Sequence, residues 1–285
     1  MSIVYLDGSY LPMEEARISP MDRGFLFGDG IYEVIPSYGG RMVGFAPHID
    51  RMNDGLEAIG IEMDWNQEQW REICEQLMER NGNADLGIYL HISRGADSKR
   101  FHAYPEGVKP TVFAFTFEIP PSPVADRSTT KTYTVTTTQD LRWKRCNIKS
   151  TALLGNVMHF NQGYEGGNNE TILYNEAGEL TEASACNVYV VKDGIISTPE
   201  TDHQILPGIT RLLLIEILRA DGSLQIEERP VTLDELRNAD EVWISSSTKE
   251  IAPVIMIDGE PVGDGEVGQT WEAAQGLFSE YKYDY

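Results

Sequence analysis

Three prolines within four residues, Pro120, Pro121 and Pro123, interrupt the chain a little before its middle. Proline has no N–H to give a sheet ladder and fixes its own φ, so such a run cannot continue a sheet interior and favours an extended connector. The chain therefore divides into a smaller N-terminal α/β domain at 1–118, a connector at 119–127 and a larger C-terminal domain at 128–285. With 285 residues in all, each part is long enough to bury a core of its own.

Before the connector, Asp7-Gly8 closes a hairpin between Ile3 and Leu11. Gly24, Gly28 and Gly30 mark a sharp turn or close approach of the backbone. Strands are expected over 31–38, 86–94 and 111–118. Alternation in the first puts Tyr32 and Val34 on one face and Ile31, Glu33 and Ile35 on the other. Helical spacing of Ile49, Met52, Leu56 and Ile59 predicts a helix opened by Pro47, and a second is expected over 66–81. After the connector, strands over 133–138, 170–174, 187–191, 241–245 and 254–257 alternate with helices over 151–164 and 209–220. A capping box at Thr232 to Glu235 and a closing helix from about Val267 complete a mixed α/β (α+β) pattern.

Lys plus Arg number 23 against 45 Asp plus Glu, a net charge of −22. That balance opposes a nucleic-acid backbone or an anionic membrane surface as main partner. Cys74, Cys146 and Cys186 lie far apart without CxxC spacing, so neither a disulfide framework nor a zinc site is indicated, and a reducing cytoplasm fits. Residues Met1 to Asp7 read as an early strand rather than a leader, and no apolar run approaches a membrane span. No carboxylate or histidine pair has metal-ligand spacing, so no metal is expected.

Chemistry concentrates in Arg142-Trp143-Lys144-Arg145-Cys146-Asn147-Ile148-Lys149-Ser150-Thr151. A lysine amine becomes nucleophilic when nearby cations or a dry pocket lower its pKa, and Arg142, Lys144 and Arg145 are the nearby cations. Taken alone, the segment reads better as a solvated basic loop. Five further segments change that: 27–33 (Phe-Gly-Asp-Gly-Ile-Tyr-Glu), 48–51 (His-Ile-Asp-Arg), Leu180-Thr181-Glu182 through Asn187, 206–211 (Leu-Pro-Gly-Ile-Thr-Arg) and 246–253 (Ser-Ser-Thr-Lys-Glu-Ile-Ala-Pro). In this order they resemble the motifs of the fold-type IV (class IV) pyridoxal-phosphate aminotransferases, over nearly the whole chain.

The resemblance implies a two-domain fold with the cofactor, pyridoxal 5'-phosphate, in the interdomain cleft, and a homodimer whose neighbouring subunit helps close each site. It implies that Lys149 carries the aldimine and shuttles the proton, and that Glu182 pairs with the pyridine nitrogen. Arg51, Ile209, Thr210 and Ser247 would hold the phosphate, Leu206 would pack on the ring, and Arg142 would lie near the phenolic oxygen. His48 is expected to make a structural hydrogen bond. Arg100 and His102, with Tyr32, resemble the carboxylate trap of the D-amino-acid aminotransferases, in a loop one residue longer than the family pattern. Val34 and Thr248 complete the candidate substrate set. Where the family often has serines after the glutamate, Ala183 and Ala185 leave Ser184 as the one hydroxyl. The activity implied is ping-pong transfer from a D-amino acid to a 2-oxo acid such as 2-oxoglutarate or pyruvate. A branched-chain L-amino-acid aminotransferase, an elimination like that of aminodeoxychorismate lyase, and a cofactor-binding protein without turnover are the alternatives.

Overall fold

The computed structural model describes residues 2–285. The chain forms two compact units, one comprising the residues up to Pro121 with Ile148–Leu153, the other Ser122–Asn147 with Leu154–Tyr285. The break thus falls inside the expected connector. The six residues around Lys149 group with the first unit, whereas the division at the prolines assigns them to the second. Hydrogen bonding explains the difference: Tyr32 N–H donates to Lys149 O at 3.1 Å and Thr151 N–H to Gly30 O at 2.9 Å.

The first unit contains β1 (Ile3–Leu6), β2 (Ser9–Pro12), α1 (Arg23–Phe27), β3 (Gly30–Tyr38), β4 (Arg41–Met42), α2 (Phe45–Ala58), α3 (Gln67–Asn81), β5 (Leu86–Ser93) and β6 (Thr111–Glu118). Its sheet runs β2-β1-β6-β5-β3-β4, and every neighbouring pair is antiparallel. Ile31, Ile35, Ile88, Leu90 and Ile92 form a core with Ile49, Met52 and Leu56 of α2 and with Trp70, Ile73 and Leu77 of α3. The α3 cap is reciprocal between Asn66 and Gln69, and Gly82 ends the helix with φ 99°. The glycine-rich turn folds as α1, which Asp22 caps by accepting the Gly24 N–H. Gly28 stops it in the left-handed region, φ 67°, where a Cβ would lie 2.9 Å from Ala152 Cα. A side chain there would therefore push the lysine segment away.

The second unit contains β7 (Tyr133–Gln139), α4 (Leu154–Glu165), β8 (Glu170–Tyr174), β9 (Leu180–Ala183), β10 (Asn187–Lys192), β11 (Ile195–Thr198), α5 (Ile209–Asp221), β12 (Gln225–Glu228), α6 (Leu233–Arg237), β13 (Glu241–Ser246), β14 (Glu250–Ile257), β15 (Glu260–Pro261) and α7 (Gln269–Tyr281). Its mixed sheet runs β12-β11-β10-β13-β14-β7-β8-β9, with β15 on β14. Val188, Val190, Val242, Ile244, Ala252 and Val254 fill a core beneath it. The expected capping box at Thr232 and Glu235 forms. Among the described residues no helix is long and apolar enough to cross a membrane. Among the same residues, no group of three or more His, Cys, Asp or Glu is placed to hold a metal ion.

Candidate active site

In the first unit β3 sorts its side chains as the alternation requires. Glu33 is fully buried on the helix side, and Tyr32 and Val34 are half-buried on the other. Lys149 is pinned to β3 by its own carbonyl, and its Nζ stands 4.3 Å from the centre of the Tyr32 ring. Lys144 and Arg145 are exposed, and Arg142 is committed to carboxylates of its own unit.

Beneath β3, Arg51 of α2 grips Glu33 with Nε at 2.8 Å and Nη2 at 2.7 Å, and His48 Nδ1 lies 2.7 Å from the same carboxylate. A carboxylate can only accept, so His48 donates through Nδ1. Burial opposes ionisation of Glu33, but the Arg51 charge and the hydrogen bonds from His48 and Arg51 outweigh it and hold the carboxyl far below its usual range. Burial lowers the His48 pKa, and Glu33 only partly offsets it, with the Arg51 and Lys149 cations adding to the decrease. His48 is therefore neutral, and Arg51 has its direction fixed by a fork-to-fork pair. The structural role expected for His48 and the orientation of Arg51 thus come from one carboxylate, Glu33, which the motif contained without assigning.

A second cluster positions the 94–103 loop. Asp29 accepts from Arg23 Nε at 2.7 Å and from Arg94 Nε at 2.8 Å. Burial raises the Asp29 carboxyl, but the hydrogen bonds from Arg94 and Arg23 win and lower it. Arg94 also binds the carbonyls of Ile59 and Gly60, and Arg23 Nη1 binds Phe101 O at 2.5 Å. The loop is therefore anchored through its backbone, while Arg100 and His102 remain exposed on it. The Arg100 guanidinium lies 5.0 Å, and the His102 ring 5.3 Å, from the Phe27 ring.

In the second unit Glu182 of β9 is buried. Arg142 Nη1 meets its Oε1 at 2.5 Å, and the Leu206 N–H donates to Oε2 at 3.1 Å. Arg142 also donates to both oxygens of Asp140 and to Gln204 O. Four of its five N–H groups are thereby used, and the guanidinium is directed at Glu182 and Asp140. Burial pushes the Glu182 carboxyl up despite Arg142, so its anion gains from any further hydrogen-bond donor. Ser184 gives its hydroxyl to the buried Glu170 and is itself buried, so the one hydroxyl left in this stretch serves the core.

Asn187 joins this region to α5. Its Nδ2 donates to Leu206 O at 2.9 Å and contacts Glu182 Oε2 at 3.4 Å. Gly208 is the N-cap of α5, where no side chain caps the helix, and Ile209 and Thr210 are buried in the first turn. The free N–H groups of such a turn attract an anion. A Cβ on Gly208 would fall 2.0 Å from Asn187 Oδ1. Gly208→Ala is accordingly expected to displace Asn187 and cost about 1–3 kcal/mol, measurable by denaturant unfolding. Ser247 and Thr248 are half-buried in the turn between β13 and β14, closed by Lys249 N–H to Ser246 O at 3.2 Å.

The sequence matches amino-transferase class IV over residues 30–257. It is 37% identical to the D-alanine aminotransferase of Staphylococcus epidermidis over 284 residues, 99% of this chain and 98% of that protein. It is also 37% identical to the D-alanine aminotransferase of Listeria monocytogenes over 267 residues, 93% and 91% of the two chains. Among solved structures, the branched-chain amino acid aminotransferase of Escherichia coli superposes with a TM-score of 0.89 at 22% identity, covering 98% of this chain and 94% of that one. The last likeness concerns the fold.

Proposed function

The chain belongs to amino-transferase class IV, and from that premise we propose that Lys149, Glu182 and the first turn of α5 carry pyridoxal 5'-phosphate-dependent transamination of D-amino acids. The residues present fit this cofactor. An uncapped helix start suits a phosphate, a buried carboxylate whose pKa burial raises despite its donors suits a protonated ring nitrogen, and a primary amine held at a fixed place suits an aldehyde. When bound, the cofactor supplies the electron sink for the substrate carbanion.

Lys149 Nζ takes and holds the proton lost from the substrate α-carbon. Glu182, oriented by Arg142 and the Leu206 N–H, keeps the ring nitrogen protonated. Thr210, Ile209, Ser247 and Arg51 are assigned to the phosphate and Leu206 to the ring face. Tyr32, Val34, Thr248, Arg100 and His102 are assigned to the substrate. The observation that carries the reading is Lys149 itself, locked to β3 by its backbone with its amine against Tyr32. Two half-reactions through one amine imply ping-pong kinetics with a 2-oxo acid as acceptor.

The test mixes holoenzyme with D-alanine or with L-leucine, without acceptor, and follows the visible cofactor band. Loss of the aldehyde-form band with D-alanine alone supports the reading. A response to L-leucine alone removes the D-specific part, and no response to either amino acid points to elimination from a different substrate. Arg100→Ala is expected to raise KM for D-alanine by about 10- to 100-fold, the worth of one charge-assisted hydrogen bond, with kcat less affected. A homodimer is supported by Leu154 and Met158 of α4, 72% and 66% exposed. The three free, buried cysteines support a reducing, cytoplasmic setting.

A further inference from the structure

We propose that a cleft of about 570 Å³ in the second unit, lined by Lys131, Tyr133, Phe160, Tyr164, Asn169 and Lys249 among others, binds a small carboxylate with a flat, apolar body. None of these residues has a part in the transamination chemistry, so the inference stands apart from it.

Charge is the first ground. The chain carries a net charge of −22 and only eight lysines, yet two of them meet here. Lys249 is half-buried and, among the described residues, no carboxylate lies within ion-pair distance of it. The Cys186 sulfur raises its pKa more than burial lowers it, and the Glu170 carboxylate adds to the rise, so the ammonium stays charged. Glu170 is already bound by Ser184, the Thr171 N–H and Cys186, and neutralises Lys249 only at a distance. A half-buried cation without a direct counter-ion favours an anion entering from the open side.

Shape is the second. Phe160 and Tyr164 lie one turn apart on α4 with ring centroids 6.3 Å apart and planes at 16°, and remain 39% and 67% exposed. Lys131 lies 5.0 Å from the Tyr133 ring centre, so ammonium and aromatic face are presented together. Asn169 spends its oxygen on Thr134, leaving its amide NH₂ as a donor. Ammonium and amide groups beside uncovered aromatic faces match a carboxylate on a planar ring. A bare phosphate would leave those faces wet. Leu154 and Met158, the exposed apolar residues proposed for subunit contact, lie about 80° or more around α4 from Phe160 and Tyr164.

The test titrates holoenzyme with benzoate, cyclohexanecarboxylate and inorganic phosphate by calorimetry, recording the visible cofactor band in parallel. Benzoate is expected to give a binding event silent in that band. Lys249→Met and Lys131→Ala should each weaken it by about tenfold or more. D-alanine turnover should be unchanged in Lys131→Ala, because substitution at an exposed position leaves the fold intact. Cyclohexanecarboxylate should bind several-fold more weakly. Three outcomes overturn the proposal: benzoate heat that follows the visible band throughout, an event that both variants retain, or phosphate binding as tightly as benzoate.

Discussion

Lys149→Ala is expected to slow amino transfer from D-alanine to 2-oxoglutarate by about 10,000-fold or more. On the roles proposed, one substitution removes both the amine that would join the cofactor aldehyde and the base that would move the α-proton. Folding should survive. Lys149 is held through its carbonyl, which accepts the Tyr32 N–H at 3.1 Å, and alanine keeps that bond. The side chain gives up its 4.3 Å approach to the Tyr32 ring, worth about 0.5–1 kcal/mol at a half-exposed site. Removing the Lys149 cation also relieves one cause of the lowered His48 pKa, so that imidazole should titrate slightly higher by NMR. Added methylamine should restore part of the rate in the alanine variant, and Lys149→Arg, which keeps a charge without a nucleophilic amine, should stay inactive. Activity in Lys149→Ala within tenfold of the parent would assign the chemistry to another group.

What could be read in advance follows from what chemistry permits. Lys149, Glu182 and Thr210 stand out in the sequence because few side chains can serve in the roles proposed for them, as amine, ring-nitrogen partner or helix-start ligand, and each stands in an ordered motif. The faces of β3 were legible because side-chain direction alternates strictly along a strand. The partners were not. Arg142 faces Glu182 across 40 residues and Asp29 meets Arg94 across 65, and no local pattern encodes such pairs. Short β9, β11 and β12 gave too few alternations to stand out. The membership of Ile148–Leu153 in the first unit was hidden because it rests on backbone hydrogen bonds to β3, which any residue type can make. The need for glycine at 208 comes from Asn187, a contact visible only once both are folded.

The second large effect is expected far from the reacting amine, at Lys282. Its Nζ meets Glu250 Oε1 at 2.5 Å, with both side chains 3% exposed, and Ser122 Oγ and Gln275 Nε2 complete the carboxylate's partners at 3.0 and 2.8 Å. Glu250 opens β14 with φ 53°, a left-handed conformation that is strained for a residue with a Cβ. It directly follows the turn bearing Ser247 and Thr248, so whatever fixes its backbone also fixes that turn. Lys282→Met keeps the length and apolar stem but leaves a buried carboxylate without its cation, at a cost of about 3–5 kcal/mol. For a chain of this size that lowers Tm by about 10 °C. Glu250→Gln combined with Lys282→Met removes both charges and should recover most of the loss, since the large penalty belongs to the unpaired ion rather than to the absence of the pair. Denaturant unfolding of the single and double variants measures both quantities. A single-variant loss below about 1 kcal/mol, or a double variant weaker than Lys282→Met alone, would show that the ion pair does not hold Glu250. The left-handed start of β14 would then rest on the ladder between Glu250 and Ser246.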